Sequence, residues 1–156
     1  GGTGTDVARF DLPAVGDGQQ FSAAVRAATR GVRISLDGRR NDGRIGEGDN
    51  VGRDVEDVVG TRYADVLVGS AGANELRGGG GDDAIDGRGG ADGLYGEAGD
   101  DRITGGAGGD AIDGGPGDDD LRARDGRGDD VRGGAGTDRA RADRVDGVSP
   151  DVERRS

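Results

Sequence analysis

The 156-residue sequence contains no cysteine, histidine, methionine or tryptophan. Without cysteine and histidine, the chain can form no disulfide framework and no zinc site of the usual nitrogen and sulfur ligands. Histidine-based acid–base and nucleophilic catalysis is excluded for the same reason. We therefore predict that the chain is not an enzyme.

Apolar residues are also scarce. Only 30% of the residues are hydrophobic and 3% are aromatic, whereas 37 are glycine and the formal net charge is -11. Such a chain buries too little apolar surface to offset the backbone entropy lost on folding. We expect it to be nearly disordered unless a ligand helps it to fold. Its apolar runs are all too short for a membrane span.

Lysine is absent, so all 21 basic residues are arginine, and these are scattered among the acids along the sequence. Phosphate binding needs a basic stripe or patch. We therefore predict that nucleic acid is not a partner. Because the chain begins with Gly1 and Gly2 instead of methionine, we also expect it to be part of a longer protein.

What the sequence has is a nine-residue repeat that runs from Gly60 to Arg122. Its units read GTRYADVLV, GSAGANELR, GGGGDDAID, GRGGADGLY, GEAGDDRIT, GGAGGDAID and GGPGDDDLR. Each begins with glycine, has aspartate or asparagine sixth and has leucine or isoleucine eighth. The fourth residue is glycine in all but the first unit. Weaker copies extend the repeat to Val51 upstream and, past one inserted residue, to Arg141 downstream.

Each unit fits a six-residue glycine-rich turn followed by a short strand whose aliphatic residue points inward. Two units make one coil of 18 residues, and stacked coils pair their strands in parallel. We predict an all-β fold, a parallel β-roll that is a two-sheet, right-handed β-solenoid. We expect the roll to span residues 51–141, with an elaborated N-terminal coil over 1–50 and a cap or frayed tail over 142–156.

The segment over residues 10–50 does not show the nine-residue repeat. Residues 22–30, SAAVRAATR, suit a short helix or an irregular loop, and the alternating apolar residues of VRISLD at 32–37 predict a strand. An acidic, glycine-rich loop follows. Its acids Asp42, Glu47 and Asp49 could form an additional calcium site or a solvated turn, and the sequence favours neither.

Stacking brings residues 18 apart into register, so the sixth-position acids form two ladders. One contains Asp65, Asp83, Asp101 and Asp119, and reaches Asp138 past the insertion; the other contains Glu56, Asn74, Asp92 and Asp110, and reaches Asp129. Carboxylates about 5 Å apart repel each other, whereas a cation between them reverses the sign of the interaction.

Carboxylate and carbonyl oxygens in a flexible turn are typical ligands of calcium. We predict several Ca²⁺ ions, best held between Asp83 and Asp101, Asp101 and Asp119, and Asp92 and Asp110. Asp65, Asn74 and Asp129 would form weaker terminal sites. The carbonyl groups that complete the sites are predicted to come from the glycines Gly78, Gly81, Gly87, Gly90, Gly96, Gly99, Gly105, Gly108, Gly114 and Gly117. The outer acids Asp82, Asp100, Asp118 and Asp120 are expected to be solvated.

The units GGAGGDAID and GGPGDDDLR resemble the G-G-x-G-x-D-x-U-x nonapeptide of the RTX (repeats-in-toxin, haemolysin-type) calcium-binding family. The stretch from Ser35 to Gly60 is similar to a segment that often precedes such repeats in secreted members. The resemblance implies calcium in the turns, export from the cell and folding outside it. The sequence departs from the family pattern at Asn74, Arg88, Glu97, Arg124 and Arg127, which puts the neighbouring sites in doubt.

Several functions fit these features. The first is an extracellular, secreted module that folds on binding calcium. The alternative is the non-catalytic repeat part of a larger secreted protease, lipase or haemolysin, with a covalently linked enzyme, toxin or adhesin domain elsewhere. A flexible linker or a metal-free solenoid is disfavoured, because neither accounts for both the regular aliphatic position and the facing carboxylates.

Overall fold

The computed structural model describes residues 7–9, 30–37, 51 and 55–154. All regular elements in these residues are β-strands, and none is a helix. The acids Asp42, Glu47 and Asp49, and the segment 22–29, lie outside the described residues. The prediction of an all-β fold is therefore confirmed for the part of the chain that the structure describes.

The strands form two sheets, in which neighbouring strands all run parallel. Sheet A contains β1 (Val7–Arg9), β3 (Asp57–Val59), β5 (Glu75–Gly80), β7 (Gly93–Ala98), β9 (Ala111–Pro116), β11 (Asp130–Ala135) and β13 (Gly147–Val148). Sheet B contains β2 (Arg33–Ser35), β4 (Val66–Val68), β6 (Ala84–Asp86), β8 (Arg102–Thr104), β10 (Asp120–Ala123), β12 (Asp138–Ala142) and β14 (Val152–Arg154). The chain alternates between the sheets, which makes it a two-sheet parallel β-solenoid.

The register of the sheets reproduces the sequence period. Ile85 pairs with Ile103, 18 residues later, as the repeat predicts. The residue inserted near Ala123 lengthens one coil by one residue, so that Leu121 pairs with Ala140. The strand predicted within VRISLD is confirmed as β2, in which Ile34 pairs with Leu67. At the C-terminal end, β13 and β14 each add one more strand to a sheet.

The central row of the core is formed by the eighth-position aliphatic residues, which lie between the two sheets. All are at most 2% exposed: Leu67, Leu76, Ile85, Leu94, Ile103, Ile112, Leu121, Val131 and Ala140. Their neighbours on each strand point outward because side chains alternate along a strand. The core is therefore only one residue deep from each sheet, which leaves few aliphatic contacts to stabilise each coil.

Ile103→Ala should lower the free energy of unfolding by about 2–5 kcal/mol, because it leaves a cavity in the middle of this narrow core. Denaturant unfolding in calcium measures the loss. Thr104→Ala is the matched control, since Thr104 follows Ile103 on β8 and points to the outer face. Similar losses in the two variants would contradict the inward assignment of Ile103.

Candidate metal centre

The six-residue turns lie along the two edges of the roll. The turns at the first edge lead into sheet B and comprise residues 60–65, 78–83, 96–101, 114–119 and 133–138; β5, β7, β9 and β11 of sheet A extend over the first three residues of the last four turns. The turns at the second edge lead into sheet A and comprise residues 69–74, 87–92, 105–110 and 124–129. Each turn ends at its sixth residue, so the sixth residues of successive coils are stacked in register along each edge.

The sixth-position side chains are buried at these edges and connect neighbouring coils. Asp101 is 2% exposed, and its Oδ1 accepts a hydrogen bond of 2.8 Å from the N–H of Asp83 in the preceding coil. The N–H of Asp101 in turn donates to Oδ1 of Asp119, also over 2.8 Å. The second edge repeats this contact from Asp92 to Asp110 at 3.0 Å and from Asp110 to Asp129 at 2.8 Å. One carboxylate oxygen of each aspartate is thus used by the backbone.

The other carboxylate oxygen, Oδ2, has no hydrogen-bond partner at seven of these aspartates in the described part of the chain, although each is buried. The seven are Asp83, Asp92, Asp101, Asp110, Asp119, Asp129 and Asp138. A buried charged oxygen without a partner is strongly unfavourable. A cation beside each Oδ2 would remove this penalty.

Main-chain oxygens converge on the same points, beside the first glycine of each turn. A Cβ atom added at Gly96 would lie 2.1 Å from Oδ2 of Asp101 and 2.5 Å from the carbonyl oxygen of Gly114 in the next coil. One added at Gly87 would lie 2.5 Å from both Oδ2 of Asp92 and the Gly105 carbonyl oxygen. The absence of a side chain therefore brings a carboxylate and a carbonyl oxygen together.

The fourth-position glycines direct a second row of carbonyl groups along the edge. Gly99 has φ of 139°, and a Cβ atom there would lie 2.2 Å from the carbonyl oxygen of Gly81 in the preceding coil. At Gly117 the corresponding distance to the Gly99 carbonyl oxygen is 1.9 Å. Glycine is required because another residue would be strained at this φ and would collide with the neighbouring carbonyl group. These oxygens lie in the space between adjacent turns.

This donor set fits Ca²⁺. All donors are oxygens, and glycine turns can adjust their carbonyl groups to the flexible geometry that calcium accepts. No three acidic side chains in the described ranges converge on one point, so main-chain oxygens would have to supply much of each site. The predicted first-position glycines Gly78, Gly87, Gly96, Gly105 and Gly114 and fourth-position glycines Gly81, Gly90, Gly99, Gly108 and Gly117 all lie at these edges.

Two predicted ligands differ from the rest. Asp65 accepts a hydrogen bond on Oδ2 from the N–H of Thr61, and Oδ1 of Asn74 accepts one from the N–H of Ser70. Conversely, Asp138 was not among the predicted ligands, yet its Oδ2 is buried and unpaired. The sequence places Asp138 in the ladder of the first edge, past the one-residue insertion, so the same repeat register that predicts the other ligands also marks Asp138.

Burial raises the pKa of several of the sixth-position aspartates. The pKa rises to about 8 for Asp83, to about 7 for Asp119 and to about 6 for Asp92, Asp101 and Asp129. Loss of hydration is the largest cause, and the backbone N–H that donates to each carboxylate partly opposes it. Nearby aspartates add to the rise through charge repulsion. Burial at these edges therefore favours neutral carboxyl groups, whereas a cation would favour ionised ones.

Two parallel sheets joined by turns with rows of buried aspartates and converging glycine carbonyl groups define a parallel β-roll whose edges are lined by oxygen atoms. Comparison with protein families agrees with this class. The model of the RTX calcium-binding nonapeptide repeat, with four copies, matches residues 59–94 and 89–121. The matched residues are therefore RTX calcium-binding nonapeptide repeats that form a β-roll. A search of curated proteins found no match to the chain.

The outer face of sheet B shows a feature that the linear sequence conceals. Parallel pairing places Arg102 and Arg139 on either side of Asp120, and Arg122 beside Arg141. Asp120 pairs with Arg122 at 2.9 Å and with Arg141 at 3.5 Å. Arginines that are scattered along the sequence are therefore neighbours around Asp120. The absence of a nucleic-acid partner remains a prediction. No helix in the described part is long and apolar enough to cross a membrane.

The raised pKa values predict that acid stabilises the calcium-free roll. Folded carboxyl groups that titrate at about 6 to 8 hold protons that the unfolded chain, with its ordinary aspartate pKa near 3.8, has released. The stability that this contributes is present below about pH 4 and is lost as the pH rises towards 8. In dialysed, calcium-free protein, β-sheet circular dichroism should therefore be stronger at pH 5 than at pH 8.

The Asp83→Asn variant provides the control for this prediction, since it removes the carboxyl group with the highest of these pKa values. Its β-sheet signal should vary less with pH than that of the wild type. Equal signals at the two pH values in the wild type would contradict the prediction.

Proposed function

We propose that this chain is a secreted calcium-binding module whose roll folds when Ca²⁺ binds along its two edges. The observation that supports the proposal is the set of seven buried Oδ2 atoms without hydrogen-bond partners. Six of the seven turns that contain them begin with glycine, and in each of the six the Oδ2 atom lies against that glycine. At four of the six glycines, a main-chain carbonyl oxygen of the next coil lies close to the same point. Calcium supplies positive charge between these oxygens when bound.

Calcium would also compensate for the weakness of the core. The net charge of -11 and the few aliphatic residues disfavour a compact state. Because the sites form only when coils stack, the free energy of calcium binding is also free energy of folding. Extracellular calcium modules typically bind with Kd of about 10⁻⁴ to 10⁻³ M, and we expect that range here.

Binding should be cooperative because each aspartate connects two coils. Asp101 accepts a hydrogen bond from Asp83 and donates one to Asp119, so ordering one turn positions the carboxylates above and below it. Repeat proteins in which each unit contacts only its neighbours gain stability through such interfaces. The low affinity suits a protein that remains unfolded in the cell and folds where calcium is millimolar.

A larger parent protein is a further part of the proposal. The repeat family is a non-catalytic structural module, and a covalently linked enzyme, toxin or adhesin domain would supply any activity. The roll would then act as a calcium-dependent folding unit for that protein. This role needs no chemistry beyond the ion sites.

Far-ultraviolet circular dichroism of the purified chain, titrated with calcium, magnesium or chelator near pH 7.5, tests the folding switch. We expect a disordered spectrum in chelator and in magnesium, and a β-sheet spectrum in millimolar calcium. A β-sheet spectrum in chelator would indicate a metal-independent solenoid. A disordered spectrum under all conditions would support a flexible linker.

Substitution within the ladders tests which carboxylates bind the ion. Asp101→Ala should raise the calcium midpoint of folding several-fold, because Asp101 has a coil on each side. Asp138→Ala should raise it less, since the ladder of the first edge ends there. Asp113→Ala is the control, because Asp113 lies on the outer side of β9 and loses the same charge. Equal midpoints for the Asp101 and Asp113 variants would contradict the assignment.

A further inference from the structure

We infer that, in each turn that begins with glycine, the second residue determines whether the sixth-position side chain is available to an ion. This inference rests on the proposed calcium function and adds a rule that selects which turns bind. The rule separates the two turns that begin at Gly60 and Gly69 from the later turns that begin with glycine. It depends on the direction of one backbone N–H group.

In the six later turns that begin with glycine, the second residue has a positive φ and the sixth-position Oδ2 has no partner. The turn over residues 124–129 begins with Arg124 and lies outside this pattern, because Oδ2 of Asp129 is also unpaired although the second residue, Asp125, does not have a positive φ. The second residues are Gly79, Arg88, Glu97, Gly106, Gly115 and Gly134, with φ between 69° and 109°. The corresponding aspartates Asp83, Asp92, Asp101, Asp110, Asp119 and Asp138 all have a buried, unpaired Oδ2. A positive φ at this position therefore accompanies a free carboxylate oxygen.

The turn at Gly60 is different because its second residue is Thr61. The N–H of Thr61 donates to Oδ2 of Asp65 over 2.5 Å, and the Thr61 hydroxyl group donates to Oδ1 over 3.1 Å. Oδ1 also accepts a hydrogen bond of 2.6 Å from the N–H of Val32. Both oxygens of Asp65 are thus occupied by the protein, and the threonine occupies the oxygen that is free elsewhere.

The turn at Gly69 repeats this arrangement with Ser70 as the second residue. The N–H and the hydroxyl group of Ser70 both donate to Oδ1 of Asn74, over 2.8 Å and 3.1 Å. The amide group of Asn74 then donates to the carbonyl oxygen of Glu56 over 3.1 Å. An asparagine carries no charge, so this turn has no carboxylate to neutralise.

Backbone conformation explains the difference. A β-branched residue such as threonine strongly disfavours positive φ, and the only described residues other than glycine with positive φ are Arg88 and Glu97. At Thr61 and Ser70, which do not have positive φ, the N–H points to the sixth-position side chain and the hydroxyl group donates to it as well, as in turns formed by serine and threonine. Arg88 and Glu97 tolerate the positive φ at a cost of about 1–2 kcal/mol, so their turns keep a free Oδ2.

The turns at Gly60 and Gly69 are therefore held by hydrogen bonds within the protein and need no ion. The ion sites begin at Asp83 on the first edge and at Asp92 on the second. At the far end of the second edge, both oxygens of Asp146 accept backbone hydrogen bonds, from Asp129 and from Asp143. Arg88 and Glu97, which depart from the family pattern, do not remove the sites of their turns, whereas Thr61 and Ser70 do.

The number of calcium ions bound at saturation, measured by equilibrium dialysis, tests the rule. Asp65→Ala should bind as many ions as the wild type, whereas Asp83→Ala should bind fewer. Thr61→Gly should bind one more ion than the wild type, because the freed Oδ2 of Asp65 lies with the Gly78 carbonyl oxygen beside Gly60. Thr61→Val is the matched control: it keeps the β-branch and the N–H donor, and should leave the number unchanged.

Hydrogen exchange provides a readout that does not depend on the ion count. In the calcium-loaded wild type, the Thr61 amide should be protected, and Asp65→Ala should remove this protection. Loss of an ion in Asp65→Ala, or no additional ion in Thr61→Gly, would overturn the rule. If the wild type still binds calcium in that case, the proposed function is unaffected. A wild-type protein that binds no calcium would instead refute the proposed function itself.

Discussion

The structure depends on the sixth-position aspartate of each turn. Its Oδ1 accepts the N–H of the aspartate one coil earlier, as from Asp83 to Asp101 at 2.8 Å, and this contact fixes the spacing of the coils at the edges. At seven of these aspartates Oδ2 is buried without a partner. The same side chain therefore joins the coils and, without a cation, destabilises them. The thin aliphatic core between the sheets stabilises the fold too little to outweigh the cost of these buried carboxylates.

The glycines follow from the same constraint. The first glycine leaves room for Oδ2 and a carbonyl oxygen at one point, and the fourth avoids the carbonyl group of the coil before it. A glycine-rich chain loses much entropy when it folds, so the turns that create the oxygen-lined space also raise the cost of forming it. Calcium bound between turns would offset both the entropy and the buried charge, which links ion binding to folding.

The fold was predictable from the sequence because one period determines it. An aliphatic residue at every ninth position places the core, and the 18-residue coil then aligns the aspartates. The hydrogen bonds of Thr61 and Ser70 were not predictable from that period, since they depend on the sign of φ at a single residue. Arg88 and Glu97 show the same limit, because they adopt a positive φ that their side chains disfavour. The arginine cluster around Asp120 became visible only once the coils were paired.

Small-angle X-ray scattering of the wild-type chain with and without calcium tests most directly whether ion binding and folding are one event. An unfolded chain of this length has a radius of gyration of about 40 Å, and a compact one has about 15 Å. We predict a value near the larger limit in chelator and a fall to about half of it or less in millimolar calcium, with the transition coinciding with ion binding. A compact particle in chelator whose size calcium leaves unchanged would contradict the coupling.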